Sequence, residues 1–358
     1  MQRLSGRRQA RLPGFIVVLA VAAVSPGVAG AETPGAACLA IADTAERLAC
    51  FDREIGAAVH GATAAVPVPS PPAAPENVSE SASASGAVAV APRPASLIDA
   101  AWGFLPDSKP AYVRLYQPNY VLFGRYTTNV NEEPYEPLLD AFAEEGDFQS
   151  VEAKFQLSIK GRLATTDDHR WGLWFAYTQL SLWQAYSSDM SHPFRETNYE
   201  PEIFGSFRPG VEVGGMQWNL LNFGLNHQSN GRSDPISRSW DRLFVEAGFE
   251  RDNFVLLARA WARINPPDDE DDNPDITDYY GYGQLTGFYK WRGNSFTLMG
   301  RGNLATGKGA AQFTWATRPL LGPMRGYFQV FTGYGESMID YNWNQTTFGL
   351  GVTVNDIF

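Results

Sequence analysis

His227 and Ser229 lie two residues apart, and Asp241 follows after a turn-rich run of Asn230-Gly231-Arg232-Ser233-Asp234-Pro235-Ile236-Ser237-Arg238-Ser239-Trp240. On an extended strand, residues i and i+2 share a face, so the imidazole and the hydroxyl project to the same side. A serine hydroxyl is a weak nucleophile until a neighbouring base takes its proton, and histidine is such a base near neutral pH. The imidazole then needs an acceptor on its second nitrogen to fix tautomer and orientation. Asp241 has the parity to be that acceptor if the run between is a hairpin turn. Ser, His and Asp with these roles would form a hydrolytic triad, which is recognised by geometry rather than chain order.

The elements that must carry these groups have an unusual polarity. Leu221, Phe223 and Leu225 alternate with Asn222, Gly224 and Asn226, and the same count puts His227 and Ser229 on the apolar face. Asp241 shares parity with Leu243, Val245, Ala247 and Phe249. Three reactive side chains therefore project from the greasy side of a predicted hairpin. A His and a Ser at this spacing also occur by chance. Against chance stands the cost of an ionisable group on a lipid-facing surface, which normally has a functional reason. The chain has four histidines, of which His60 falls in a linker and His169 and His192 at predicted loops.

Composition agrees with a membrane wall. The net charge of −11 argues against nucleic acid as a partner. Aromatics reach 13% and glycines number 34, yet mean hydropathy is slightly negative. Alternating strands of a transmembrane β-barrel hide their lipid face from average hydropathy in this way. After residue 30 no apolar run approaches the ~18 residues a membrane helix needs. Twelve strand candidates follow Ser96: Tyr120–Thr127, Val151–Leu163, Trp171–Ala185, Glu196–Phe207, Glu212–Asn226, Trp240–Arg251, Asn253–Ile264, Asp278–Trp291, Ser295–Asn303, Gln312–Pro319, Arg325–Tyr334 and Thr346–Phe358. An even number suits a bacterial single-chain barrel. In the last candidate Phe348, Leu350, Val352 and Val354 face one way, and it ends on Phe358, which resembles the C-terminal assembly signal of outer-membrane barrels. The expected fold is all-β, a 12-stranded antiparallel transmembrane barrel over 98–358. A soluble sandwich would need a second sheet over the apolar faces, and long loops such as Pro266–Thr277 fit extracellular loops instead. Asn222, Asn226, Arg242, Glu246 and Glu250 are expected to face a polar lumen.

The N-terminal part reads differently. Arg3, Arg7, Arg8 and Arg11 precede a short apolar core, Phe15–Val24, and a small-residue site at Ala29-Gly30-Ala31, the pattern of a secretory signal over 1–31. An N-terminal anchor is the alternative, for which the core is short. Residues 32–56 hold the only two cysteines, Cys38 and Cys50, with a disulfide as the expected pairing in an oxidising compartment. Residues 57–97 are rich in Ala, Pro and Ser, the composition of a disordered linker.

Several longer blocks carry a resemblance. Asn226–Pro235 with Ser237–Trp240, Pro193–Pro201, Asp272–Thr277, Gly333–Asn342 and the Asn355-Asp356-Ile357-Phe358 end are similar to the signature of the outer-membrane phospholipase A family. The resemblance covers about residues 98–358. It implies a calcium-dependent outer-membrane enzyme that hydrolyses phospholipid acyl esters, of A1/A2 and lysophospholipase type, and is active as a homodimer. By position, Ser229 is the implied nucleophile and His227 the base. Family members commonly have Asn as the third member; here that place holds Asp241. The backbone N–H groups of Ser229 and Gly231 are the implied oxyanion donors. The turn is rich in oxygen donors (Ser233, Asp234, Ser237 and carbonyls), which suits calcium. The resemblance assigns the ion to the Arg232 carbonyl and Ser237, with Ser191 from the partner subunit. It assigns a second position to Asp234 and Asp272. Gln179 lies mid-strand among Trp171, Leu173, Phe175, Tyr177, Ser181 and Trp183 on the lipid parity. A bare amide in lipid is costly, and the resemblance makes Gln179 the dimer-interface glutamine; a register error is the competing account. Gly302–Gly309 imitates a phosphate loop but lacks the final Ser/Thr and does not precede a helix. The rival function is a non-catalytic porin-like barrel, which would have no use for reactive groups on its outer wall.

Overall fold

The computed structural model describes residues 46, 50, 96–109, 112–136, 148–188, 192–267 and 271–358. The expected signal peptide, Cys38 of the expected disulfide and the linker up to residue 95 lie outside the described residues.

Twelve long antiparallel strands close on one another. The described strands are β1 (Tyr112–Leu115), β2 (Tyr120–Thr127), β3 (Val151–Thr165), β4 (Trp171–Trp183), β5 (Phe194–Phe207), β6 (Val211–Val213) and β7 (Met216–Ser229). They continue with β8 (Ser239–Arg251), β9 (Phe254–Ile264), β10 (Gly283–Trp291), β11 (Asn294–Asn303), β12 (Lys308–Leu321), β13 (Met324–Tyr334) and β14 (Asn344–Thr353). Sheet order runs from β2 through β14 and back down to β4, and the β3–β4 pairing closes the ring. Closure leaves each wall strand with a neighbour on both sides, the condition a bilayer imposes on spanning backbone. The two short strands sit outside the count of twelve. β1 pairs the lower half of β3, whose upper half pairs β2, so the two are one stave interrupted around Gln117-Pro118. β6 makes a small hairpin with the start of β7.

Period-2 polarity decides which side is which. Phe223, Leu225, Leu243 and Val245 are each about half exposed, while Asn222, Asn226, Arg242, Glu246 and Glu250 are buried. The apolar face is thus the outer wall and the polar face the lumen, as alternation predicts. Several lumen charges are paired: Arg125 with Glu152 at 2.5 Å and with Glu336, Lys154 with Glu336 at 2.8 Å, Arg195 with Glu152 at 3.1 Å and Asp340 at 3.2 Å.

One end of the barrel has short turns and the other longer loops. At the short-turn end a helix, α1 (Leu97–Trp102), fills the mouth. Ser96 caps it, accepting from the Asp99 N–H at 2.9 Å, and Gly103 ends it at φ 65°. Ile98 N–H donates to Glu250 at 3.2 Å, and Arg208 forks onto Asp99 at 2.6 and 2.8 Å. Lys160 stands 3.5 Å over the Trp102 ring, and Phe358 packs between Trp102 and Phe288. The C-terminal residue therefore turns inward after β14 rather than extending the strand, which ends at Thr353. At the long-loop end, α2 (Ile276–Tyr280) occupies part of the expected Asp278–Trp291 strand. Likewise, the expected Glu212–Asn226 strand breaks at Gly214-Gly215, where both residues have positive φ.

Candidate active site

β7 and β8 form the hairpin that the spacing of His227 and Asp241 requires. Their register pairs His227 directly with Asp241, flanked by Asn226 with Arg242 and Gln228 with Trp240. Directly opposed residues on one face hold their Cβ atoms about 4.5–5.5 Å apart. His227 Nδ1 and Asp241 Oδ1 lie 2.8 Å apart on the outer wall, with about half of each side chain exposed. Ser229 falls on the same face, about 6.5 Å along the strand from His227 by strand rise. With Nδ1–H donated to Asp241, the basic lone pair is on Nε2, the atom a serine proton would move to.

The loop beyond Ser229 is held from inside by Asn230. Asn230 is buried, and its Oδ1 accepts from the Arg232 N–H at 3.2 Å and the Arg238 N–H at 3.0 Å. Its Nδ2 donates to the Ile236 carbonyl at 2.8 Å, and its backbone N–H to the Arg238 carbonyl at 3.0 Å. One side chain thus spans the turn from both sides. Gly231 adopts φ 63°, and an added Cβ would stand 3.0 Å from the Tyr199 ring. Tyr199 is the β5 residue paired with Ser229.

The oxygen donors assemble in part. Ser237 Oγ donates to Asp272 Oδ2 at 2.6 Å, Ser239 Oγ to the same oxygen at 3.4 Å, and the Ser239 N–H to Asn273 Oδ1 at 3.0 Å. The loop after β9 is therefore tied to the β7–β8 hairpin. Asp234 and Arg232 are exposed on the loop between β7 and β8, and Ser191 lies outside the described residues. Gln179 lies on the outer wall of β4, where its Oε1 accepts from Tyr177 Oη at 3.2 Å and its Nε2 donates to Ser181 Oγ at 3.3 Å.

The family model described as Phospholipase A1 matches residues 106–354. The chain belongs to the phospholipase A1 family. Phospholipase A1 of Klebsiella pneumoniae is 38% identical over 248 residues, which span 68% of this chain and 82% of that protein. Phospholipase A1 of Escherichia coli strain K12 is 39% identical over 248 residues, covering 68% and 81%. Among solved structures, outer membrane phospholipase A from Escherichia coli is 39% identical with a TM-score of 0.64, covering 69% of this chain and 99% of that one. The Salmonella typhi outer membrane phospholipase, solved as a dimer with bound calcium, has the same identity and TM-score and covers 69% and 93%. An active-site mutant of the Escherichia coli protein, with an asparagine replaced by alanine, is 36% identical with a TM-score of 0.66 and covers 74% and 100%. Family membership makes this chain a phospholipase of the bacterial outer membrane, and the 12-stranded barrel agrees. The family-model match begins at residue 106, after α1.

Calcium, which the family implies, can be weighed against the donors. Ser237 and Asp272 are hard oxygen ligands already in contact, of the type the ion takes. Among the described residues no group of three or more His, Cys, Asp or Glu gathers to hold a metal. Carbonyl, hydroxyl and water oxygens would have to complete any shell around Asp272. The donor set fits a calcium site completed by such oxygens.

Proposed function

We propose that Ser229, His227 and Asp241 hydrolyse acyl esters of membrane phospholipids, at either acyl position and on lysophospholipids, from the outer face of the barrel. The observation that carries this reading is the 2.8 Å contact between His227 Nδ1 and Asp241 Oδ1 on the lipid-facing wall. Asp241 accepts from Nδ1–H and favours the imidazolium that forms when Nε2 takes the Ser229 proton. Ser229 Oγ attacks the ester carbonyl, and the backbone N–H groups of Ser229 and Gly231 receive the developing oxyanion. His227 then returns its proton to the leaving alcohol, and a water activated by the same nitrogen releases the fatty acid. The substrate reaches these groups sideways, since they open to the bilayer and not to the lumen. Calcium, when bound, supplies a Lewis acid beside the ester carbonyl. The Arg232 carbonyl and Ser237 would hold it, with Ser191 from a second copy of the chain, and Asp234 with Asp272 would serve a second position.

The dimer follows the same reasoning. Gln179 pairs in register with Tyr199, and Tyr199 with Ser229. This row runs from the proposed interface amide to the proposed nucleophile. An amide exposed to lipid is better satisfied against a partner's amide, so Gln179→Ala should lower the yield of cross-linked dimer and the activity together. A variant with full activity and no cross-link would separate the two. The central test is fatty-acid release from phosphatidylcholine vesicles by the refolded protein. Ser229→Ala should lose at least ~10³-fold and chelator should abolish activity; a Ser229→Ala protein as fast as wild type ends the assignment.

A further inference from the structure

The catalytic set alternates with a second set on the opposite face of the same hairpin. Asn226 and Gln228 flank His227, and Trp240 and Arg242 flank Asp241, all four turned toward the lumen. Both register pairs beside His227–Asp241 are hydrogen bonded from within. Trp240 Nε1 donates to Gln228 Oε1 at 2.9 Å, and Arg242 Nη2 donates to Asn226 Oδ1. The same nitrogen reaches Gln228 Oε1 diagonally at 3.3 Å and Glu200 Oε1 on β5 at 2.9 Å, and Asn226 Nδ2 donates to Glu200 at 2.8 Å. The guanidinium lies 4.0 Å over the Trp240 ring. Arg242 is 7% exposed, so these contacts lie out of bulk solvent. One buried cation thus ties together β5, β7 and β8, the strands that carry Tyr199, Ser229, His227 and Asp241.

We propose that Arg242 is a positioning residue for hydrolysis: from the lumen it locks the register and spacing of β7 against β8 so that His227 and Asp241 meet on the outside. The proposal rests on the reading of Ser229, His227 and Asp241 as the catalytic set. The physical reason is the two-residue period of a strand. The outer groups have no packed shell, because their surroundings are lipid and substrate. Their geometry must come through the backbone, and a register slip of one residue would turn His227 inward. A displacement near 1 Å at a reacting group can cost about 10²-fold in rate.

The experiment measures kcat and KM on a short-chain phosphatidylcholine in detergent micelles, with kcat expressed per serine titrated by a fluorophosphonate, so that unfolded protein does not count. Arg242→Met should lower kcat about 10²-fold with KM within about 2-fold, and Arg242→Lys should recover about 10-fold of it. Arg259 is the matched control. It is a lumen arginine of β9 paired with Glu202 and stacked on Phe244 of β8, with no hydrogen bond to Asn226, Gln228, Trp240 or Arg242 among the described residues. Arg259→Met should keep kcat within about 2-fold. Gln228→Leu leaves the Arg242–Glu200 pair intact and should lose about 10-fold, which serves if Arg242→Met fails to fold. The proposal is overturned if Arg242→Met, or in its place Gln228→Leu, retains wild-type kcat per titrated serine, or if Arg259→Met falls as far. Failure of the underlying reading shows separately, as hydrolysis that survives Ser229→Ala, and takes the proposal with it.

Discussion

A carboxylate in place of an amide at the proposed third position changes the electrostatics more than the geometry. Asp241 accepts from His227 at 2.8 Å, a task that Asn can also perform through its carbonyl oxygen. The carboxylate adds a full charge to stabilise imidazolium, at the cost of holding that charge beside lipid. Asp241→Asn should therefore keep kcat within about 10-fold of wild type, whereas Asp241→Ala should lose at least ~10²-fold. Steady-state hydrolysis by the two variants checks this, and an alanine variant as active as wild type removes Asp241 from the mechanism. The His227–Asp241 contact was legible in the sequence because each of the two groups breaks an apolar alternation. Asn230 was not, because its work is internal to a loop. It caps backbone groups that only the folded turn brings together.

The hairpin loop is where element and chemistry meet. Strand faces could be read from period-2 polarity throughout, and the parity of Asn222, Asn226, Arg242, Glu246 and Glu250 came out buried. Interruptions were harder to read. The Gly214-Gly215 turn sits inside an apolar run, and Asp278-Tyr279-Tyr280 alternates well enough to pass for strand while forming the end of α2. In both cases backbone conformation overrides side-chain pattern: positive φ in one, the Asp275–Gly281 helical turn in the other. α1 escaped notice because six residues give less than two helical turns of periodicity. It is held by Glu250 and Arg208, both distant in sequence. Within the loop, Asn230→Ala would leave the Arg232 and Arg238 N–H groups and the Ile236 carbonyl without their partner, a local cost of about 1–3 kcal/mol. Because the loop carries Gly231 and Ser237, the expected result is a kcat loss of at least ~10-fold with the strands intact. Far-UV circular dichroism unchanged beside lowered hydrolysis would bear this out; unchanged hydrolysis would show that the loop holds without Asn230.

At the scale of the whole barrel the lumen is a buried ionic lattice, and Glu336 is its junction. It lies in the loop between β13 and β14 and bonds Arg125 of β2, Lys154 of β3 and Thr347 of β14. Burial by itself would raise its pKa, but Arg125 and then Lys154 outweigh burial and hold the carboxyl well below the usual carboxylate range. Such a group stabilises the fold fully above the pKa it has when unfolded, about 4.3, and loses that contribution as pH falls from there through its folded value. Glu336→Gln keeps the shape but leaves two buried cations short of a counter-charge, which costs about 3–5 kcal/mol when one partner of a buried pair is removed. The variant should therefore unfold at lower urea concentration than wild type at pH 7. The gap should stay constant down to about pH 5 and narrow below pH 4, as this carboxylate takes up its proton in the unfolded wild-type chain while the folded one stays ionised. Urea midpoints in detergent or lipid at pH 7, 5 and 3 measure it. A gap that widens with acidification would mean that Glu336 is protonated in the folded barrel at neutral pH and that Arg125 and Lys154 are held by their other partners, Glu152 and Gln329.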